Sequence, residues 1–429
     1  MLKLLDSTLG LLGIKRLNKM FAHSGIFMLV GLACTQVLRY TAPEMLDGIL
    51  QAEFLSNHYF GHDHGDGHYV LSLPFLVNDF FIAFFFGIAF KEVKEAIFLP
   101  GGALQGKKAY VPISGTLGGV LGPAGVFLLA VALLGKWTLM WRGFAIPMAT
   151  DIAFTYLFAK MIFPDVQQAD GTMKKHRMVS FGLALAILDD LIGMAMIAFF
   201  YNDGIDMFWL GLFGATIPLG ILMNRLKVQG WGWYIVLLGL PGIYFLFHSG
   251  LHPSLGLAVA VFCMPTKGRD EDGIVAEGTA ENVHHSATAD RYEHQTAVPV
   301  EYILGAFAFV NAGVNMVQGF NTLTFVVLGS LIIGKGLFIW AFTRIAQRFW
   351  EFEASSSEVM TLALAAGIGF TVSLFVASLA YAPGALQDGA KIGAALSLIA
   401  GPMAMVYARM FHVGRWSREI DSTRRAVLQ

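Results

Sequence analysis

Apolar residues recur along the chain in runs of about 20, each long enough to cross a bilayer as a helix. Twelve runs can be marked: 21–40, 73–93, 109–135, 143–163, 178–201, 207–223, 231–248, 253–265, 299–318, 322–342, 357–381 and 391–411. The eighth is too short to cross alone, so it is expected to be tilted, extended at its ends or broken. The pattern predicts an all-α polytopic membrane protein of about 12 spans. A transmembrane domain over 21–411 is flanked by residues 1–20, read as a surface-lying amphipathic helix rather than a signal peptide, and by a basic tail, 412–429.

Composition agrees with the pattern. The 429 residues are 56% hydrophobic and 14% charged, with mean hydropathy +0.62, whereas soluble domains carry about 25% charged residues. A net charge of −1 argues against a nucleic-acid partner. Cys34 and Cys263 both lie in apolar runs, so no disulfide framework is implied. With the N-terminus placed inside, most of the 29 Lys and Arg residues fall in inside segments. Only Arg39, Lys136, Arg142 and Lys391 fall at the outside edges. This positive-inside asymmetry predicts that both termini are cytoplasmic. The outside loop 41–72 has no Lys or Arg and carries "HYFGHDHGDGH", whose His58, His62, His64 and His68 are read as loose metal affinity without function. The inside loop 266–298 is rich in acidic residues.

Two runs are interrupted. The fourth reads "GFAIPMATDIAFTYLF": Pro147 removes a helix donor, and Thr150-Asp151 put polar groups at mid-depth. The eleventh reads "LALAAGIGFTVSLFVASLAY", with Gly367 and Gly369 about Ile368. Each is the middle member of three consecutive spans, and the two run in opposite directions across the membrane. Inverted repeats with matching discontinuous helices are the layout of a secondary transporter. Irregular backbone at that depth must be buried in protein or line a water-filled cavity.

Five ionisable residues fall well inside the runs: Asp79, Asp151, Asp189, Asp190 and Lys335. Each costs roughly 2.5–3.5 kcal/mol at a helix centre on insertion scales, too much for five to be incidental. Asp189 and Asp190 are adjacent, so their side chains leave the helix about 100° apart and cannot serve one contact. Carboxylates suit small hard cations. At membrane depth such a pair can hold protons and release them when a cation enters, so H+ and Na+ or Li+ compete for the same oxygens. Lys335 fits either as the counter-charge, displaced when a cation binds, or as a proton carrier itself. The reading is of a cation/proton exchanger and not an enzyme; the alternative is a sodium-coupled symporter of an organic solute. An intramembrane aspartyl protease is disfavoured because adjacent aspartates cannot face each other, and its Gly-x-Gly-Asp setting is absent.

The segments "NDFFIAFFF", "AIPMATDIAF", "LALAILDDLIG", "AFAFVNAGV", "LIIGKGLFI" and "GIGFTVSLFVASLAY", in that order, resemble helices of the NhaA family of bacterial sodium/proton antiporters. The resemblance runs from about residue 73 to 411. It implies that Asp189 and Asp190 form the ion and proton site, holding Na+, with Asp190 the direct cation ligand. It places Thr150 and Asp151 where the broken helices cross at mid-membrane, pairs Lys335 with Asp189, and puts Asn78 and Asp79 on the access route. It further implies electrogenic, pH-regulated exchange in the bacterial inner membrane, a homodimer, and no cofactor beyond the transported ions. A cytoplasmic pH-sensing cluster would involve Glu92 and, in "DRYEHQ", Glu293 and His294, histidine being the natural titrating group near neutral pH. The chain departs from the family pattern at Glu95-Ala96, at the displaced Gly193, in the long loop 266–298 and in the His-rich tract.

Overall fold

The structure, a computed structural model, describes residues 19–57, 59–63, 69–99, 104–167, 173–174, 176–202, 204–266, 287–315, 317 and 319–417. The N-terminal segment to residue 18, most of the His-rich tract, most of the acidic loop and the tail from 418 lie outside them.

In chain order the elements are α1 (Lys19–Thr41), α2 (Pro43–Leu50), β1 (Glu53–Asn57), β2 (His62–Asp63), β3 (Tyr69–Ser72), α3 (Leu73–Phe98), α4 (Tyr110–Leu133), α5 (Trp137–Met148), α6 (Ile152–Ile162), β4 (Val166–Gln167), β5 (Met173–Lys174) and α7 (Arg177–Phe200). There follow α8 (Met207–Arg225), α9 (Trp231–Ser249), α10 (Pro253–Cys263), α11 (Thr288–Asn311), α12 (Thr322–Ala346), α13 (Ser356–Ala365), α14 (Phe370–Ala380) and α15 (Ala385–Ser417). Among the described residues, seven helices are long and apolar enough to cross a membrane, or up to nine if each bent pair is one span. Every one of the twelve predicted runs coincides with helix, but the run 299–318 is displaced. Its helix begins at Thr288, well inside a polar stretch, and ends at Asn311.

The two interruptions are bends. α5 and α6 meet at 49°, and α13 and α14 at 51°. The last part of α5, Trp141–Met148, is a tight 3-10 turn that contains Pro147. Ala149 then goes extended, and Asp151 caps α6. α13 opens with a capping box, Ser355 Oγ accepting from Glu358 N and Glu358 Oε2 from Ser355 N. It ends at Ala365, and Gly367-Ile368-Gly369 lie in the break before α14.

The chain forms two compact units: residues 1–26, 106–189 and 319–429, and residues 27–105 and 190–318. In the first, α4 packs along α12, and α5, α6, α13 and α14 pack with α15. The α4–α12 approach is close because small residues face the partner backbone. A Cβ on Gly118 would collide with the Phe338 carbonyl, and Gly334 lies against the Pro123 backbone. In the second unit, α3 packs against α10 and α11, and α8 against α9 and α10. The loop expected over 41–72 folds into α2 and an antiparallel sheet of order β1-β3-β2, with Leu55 opposite Leu71.

Among the described residues, three helices contain a wider π-turn: Leu76–Phe81 in α3, Ile235–Gly239 in α9 and Ser330–Lys335 in α12. Such turns frequently mark functional positions. Two of these hold ionisable residues singled out above, Asp79 and Lys335.

Candidate functional site

In the first unit the two bends are stitched together through their free backbone ends. A helix start leaves unsatisfied N–H groups and a helix end leaves unsatisfied carbonyls, a serious cost away from water. Asp151 answers two starts at once. Its Oδ1 accepts from Phe154 N at 3.1 Å, capping α6, and its Oδ2 accepts from Thr371 N at 3.2 Å and Thr371 Oγ1 at 2.6 Å in the first turn of α14. Its own N–H donates to Ile368 O at 2.7 Å, which ties one break to the other. The carbonyl ends are met by hydroxyls: Ser373 Oγ donates to Ile146 O at 2.6 Å and Thr155 Oγ1 to Ala365 O at 3.3 Å, while Ser397 Oγ accepts from Gly369 N at 3.1 Å. One carboxyl group thus faces two helix N-termini, where the macrodipole favours an anion.

Against this crossing lies a buried ion pair. Lys335 Nζ donates to Asp189 Oδ2 at 2.8 Å and also to Thr150 Oγ1; that hydroxyl donates to the same carboxylate oxygen at 2.5 Å. Asp189 is 1% exposed and Lys335 is fully buried. The other oxygen, Asp189 Oδ1, has no hydrogen-bond partner among the described residues. It lies near Gly119, whose missing side chain leaves room beside it: an added Cβ would sit 3.6 Å away. Pro147, Thr150, Asp151, Asp189, Lys335, Gly367 and Gly369 all belong to this unit and lie on its two bends or on the helices α7 and α12.

In the second unit, Asp190 is equally buried, at 1%. Asn78 and Asp79 occupy the π-turn of α3. Asn78 and Asn311 exchange side-chain hydrogen bonds, of 2.6 Å from Asn311 Nδ2 and 3.3 Å in return, and Asn311 also donates to Phe307 O at 3.0 Å. Asp79 Oδ1 is 3.4 Å from His252 Nε2. The Nδ1 of that ring accepts from Ser254 N at 3.3 Å, which assigns the proton of the neutral ring to Nε2, toward Asp79. At the other end of α3, Lys91 binds Glu95 at 2.7 Å, Asp290 at 3.2 Å and also Glu293. Of the pH-sensing candidates, Glu293 therefore joins this cluster, while Glu92 is half-buried and His294 is exposed.

Sequence reasoning passed over Lys91, Thr155, His252, Glu301, Asn311 and Ser397. Asn311 stands inside a quoted motif, and His252 sits in "HSGLHPSL" beside a helix start. Single hydroxyls such as Thr155 and Ser397 carry no sequence signal that separates them from ordinary helix residues.

A sequence profile described as Na+/H+ antiporter 1 matches residues 19–408. The chain belongs to that family. Among similar proteins, one from Jannaschia sp. (strain CCS1), named "Na(+)/H(+) antiporter NhaA", is 38% identical over 82% of this chain and 87% of its own length. Proteins of the same name from Geotalea uraniireducens (strain Rf4) and Desulfitobacterium hafniense (strain DSM 10664 / DCB-2) are 35% and 36% identical. They cover 88% and 83% of this chain, and 96% and 89% of their own lengths.

The doubly capping role of Asp151 has a measurable consequence. Asp151→Ala removes acceptors from two helix starts, each worth about 0.5–2 kcal/mol. Thermal unfolding in detergent should show a loss of about 1–4 kcal/mol, and Thr371→Val, which leaves the α6 cap intact, a smaller one. Equal losses in the two variants would mean that the α6 cap contributes little.

Proposed function

We propose that the chain exchanges Na+ or Li+ for protons across the bacterial cytoplasmic membrane, as an electrogenic, pH-regulated antiporter working by alternating access at Asp189 and Asp190. The observation that carries this reading is the fully buried Asp189–Lys335–Thr150 cluster beside the crossing of two bent helices, in a chain of the Na+/H+ antiporter family. Relatives named Na(+)/H(+) antiporter supply the pair of ions. The spans number twelve, counting each bent pair as one discontinuous helix, and the Lys and Arg distribution puts both termini in the cytoplasm. The transport domain is 21–411.

In this reading Asp190 is the direct cation ligand and Asp189 pairs with Lys335. Carboxylate oxygens and hydroxyls are the ligands a small hard cation prefers. As the cation arrives it competes with Lys335 and with protons for the same carboxylates, so the loaded and protonated states exclude each other. Asp151 holds the crossing rigid without entering the exchange. Asn78 and Asp79 line the access route, and the groups about Lys91, with Glu92, Glu293 and His294, supply the cytoplasmic pH response. The sheet supports a homodimer: β1 is an edge strand, and its Phe54 and Leu55 are 59% and 57% exposed.

The test is an imposed pH gradient in proteoliposomes, challenged in turn with Na+, Li+ and K+. Na+ and Li+ should collapse the gradient without any added organic solute. A gradient that survives both ions from mildly acidic to alkaline pH, with folded protein in the bilayer, would count decisively against exchange. Na+ uptake that depends on a solute and moves no protons would favour a symporter.

A further inference from the structure

Among the described residues, two carboxylates are buried in helices of the second unit, Asp190 and Glu301, and Glu301 has no part in the reading above. Glu301 lies in α11 and is 5% exposed. An ionisable side chain buried at the edge of an apolar run is costly and points to a functional role. Its neighbours Val298, Pro299 and Tyr302 are exposed, so the helix turns them outward and Glu301 inward.

The position of Glu301 on the helix is informative. Residues 290, 293, 297, 301, 304, 308 and 311 follow at intervals of three and four, the spacing of one helical face. The contacts of that face are known at both ends. Asp290 and Glu293 bind Lys91 of α3, and Asn311 binds Asn78 of the same helix, one residue before Asp79. Tyr292, beside Glu293 and outside that register, donates from its OH to Phe84 O at 3.1 Å. Glu301 therefore sits along the face that joins the Lys91 cluster to the Asn78–Asp79 turn. At 1.5 Å per residue it is about 12 Å of helix from Glu293 and about 15 Å from Asn311. That is near the middle of a face whose other polar residues, Asp290, Glu293 and Asn311, stand only at its ends.

We propose that Glu301 is a further cation-binding carboxylate on the access route, a way-station that draws Na+ or Li+ from the Lys91 end of α11 toward Asp79. This inference rests on the exchange reading. A carboxylate offers the oxygen ligands a small cation takes, and one negative charge in low-dielectric surroundings raises the local cation concentration. Its contribution is to capture of the ion and not to turnover.

The experiment compares wild type, Glu301→Gln, Glu301→Asp and Asp190→Asn in proteoliposomes, with Na+ as the probe ion. The Gln variant should need about three- to tenfold more Na+ for half-maximal exchange while its maximal rate stays within about twofold. The Asp variant, which keeps the charge, should shift by less than half as much. Should Gln misfold, the neutral Glu301→Met, of similar volume, carries the same expectation. An unchanged half-saturation in an exchanging protein overturns the assignment of Glu301 alone. A lower maximal rate and melting temperature at unchanged half-saturation makes Glu301 a packing residue and overturns it as well. A wild type that shows no exchange, indistinguishable from Asp190→Asn, overturns the exchange reading and this inference with it.

Discussion

Asp190→Asn is expected to abolish Na+-dependent exchange while leaving the protein inserted and monodisperse. The substitution keeps the shape of the side chain and removes its charge. Asp190 is 1% exposed, so little solvent screens that charge from a bound ion. Two unit charges 4 Å apart interact by about 4 kcal/mol at an effective dielectric of 20, which corresponds to roughly a thousandfold in affinity. Exchange should fall below detection at any practical Na+ concentration, because the missing carboxylate takes both a cation ligand and a proton acceptor with it. The measurement is Na+-driven collapse of a pH gradient, with size-exclusion chromatography to establish that the variant is folded. Wild-type exchange in this variant would remove Asp190 from the ion site.

How much of this site is readable from sequence depends on the kind of interaction that builds each part. The spans are legible because a bilayer demands long apolar runs, and the bends because Pro147 and the Gly367–Gly369 pair act on the backbone itself. Hydropathy fails at α11, where the helix continues outward through Asp290, Glu293 and His294. Helical hydrogen bonding does not require apolar side chains, and at that end Lys91 neutralises the acidic face. Hydropathy also hides Glu301, which stands at the edge of the apolar run but well inside the helix. The π-turns at Asp79 and Lys335 left no mark in composition.

Partner choice is a different matter. That an intramembrane Lys must meet a carboxylate follows from cost alone. Which oxygen it meets, and that Thr150 bridges to the same oxygen, depends on the rotation of α7 and α12 about their axes, which local sequence does not encode. The double cap by Asp151 is similar. A polar residue at a helix start is expected, whereas its reach to Thr371, 220 positions away in the chain, exists only in the folded unit.

The second large effect is expected at the Lys335–Asp189 pair, where stability and transport can be separated. Removing one partner of a buried pair leaves the other charge uncompensated and costs about 3–5 kcal/mol. Lys335→Ala and Asp189→Asn should each lower the melting temperature in detergent, since Lys335 is fully buried and Asp189 is 1% exposed. The double variant leaves neither ion behind. It should therefore be more stable than the sum of the two single losses implies, by about 1–3 kcal/mol of coupling. Strictly additive losses would mean that the 2.8 Å contact is not an energetically coupled pair. The same variants decide between the two roles open to Lys335. A counter-charge predicts that transport and stability fall together in Lys335→Ala. If stability is unchanged and transport falls, Lys335 carries a proton through the cycle.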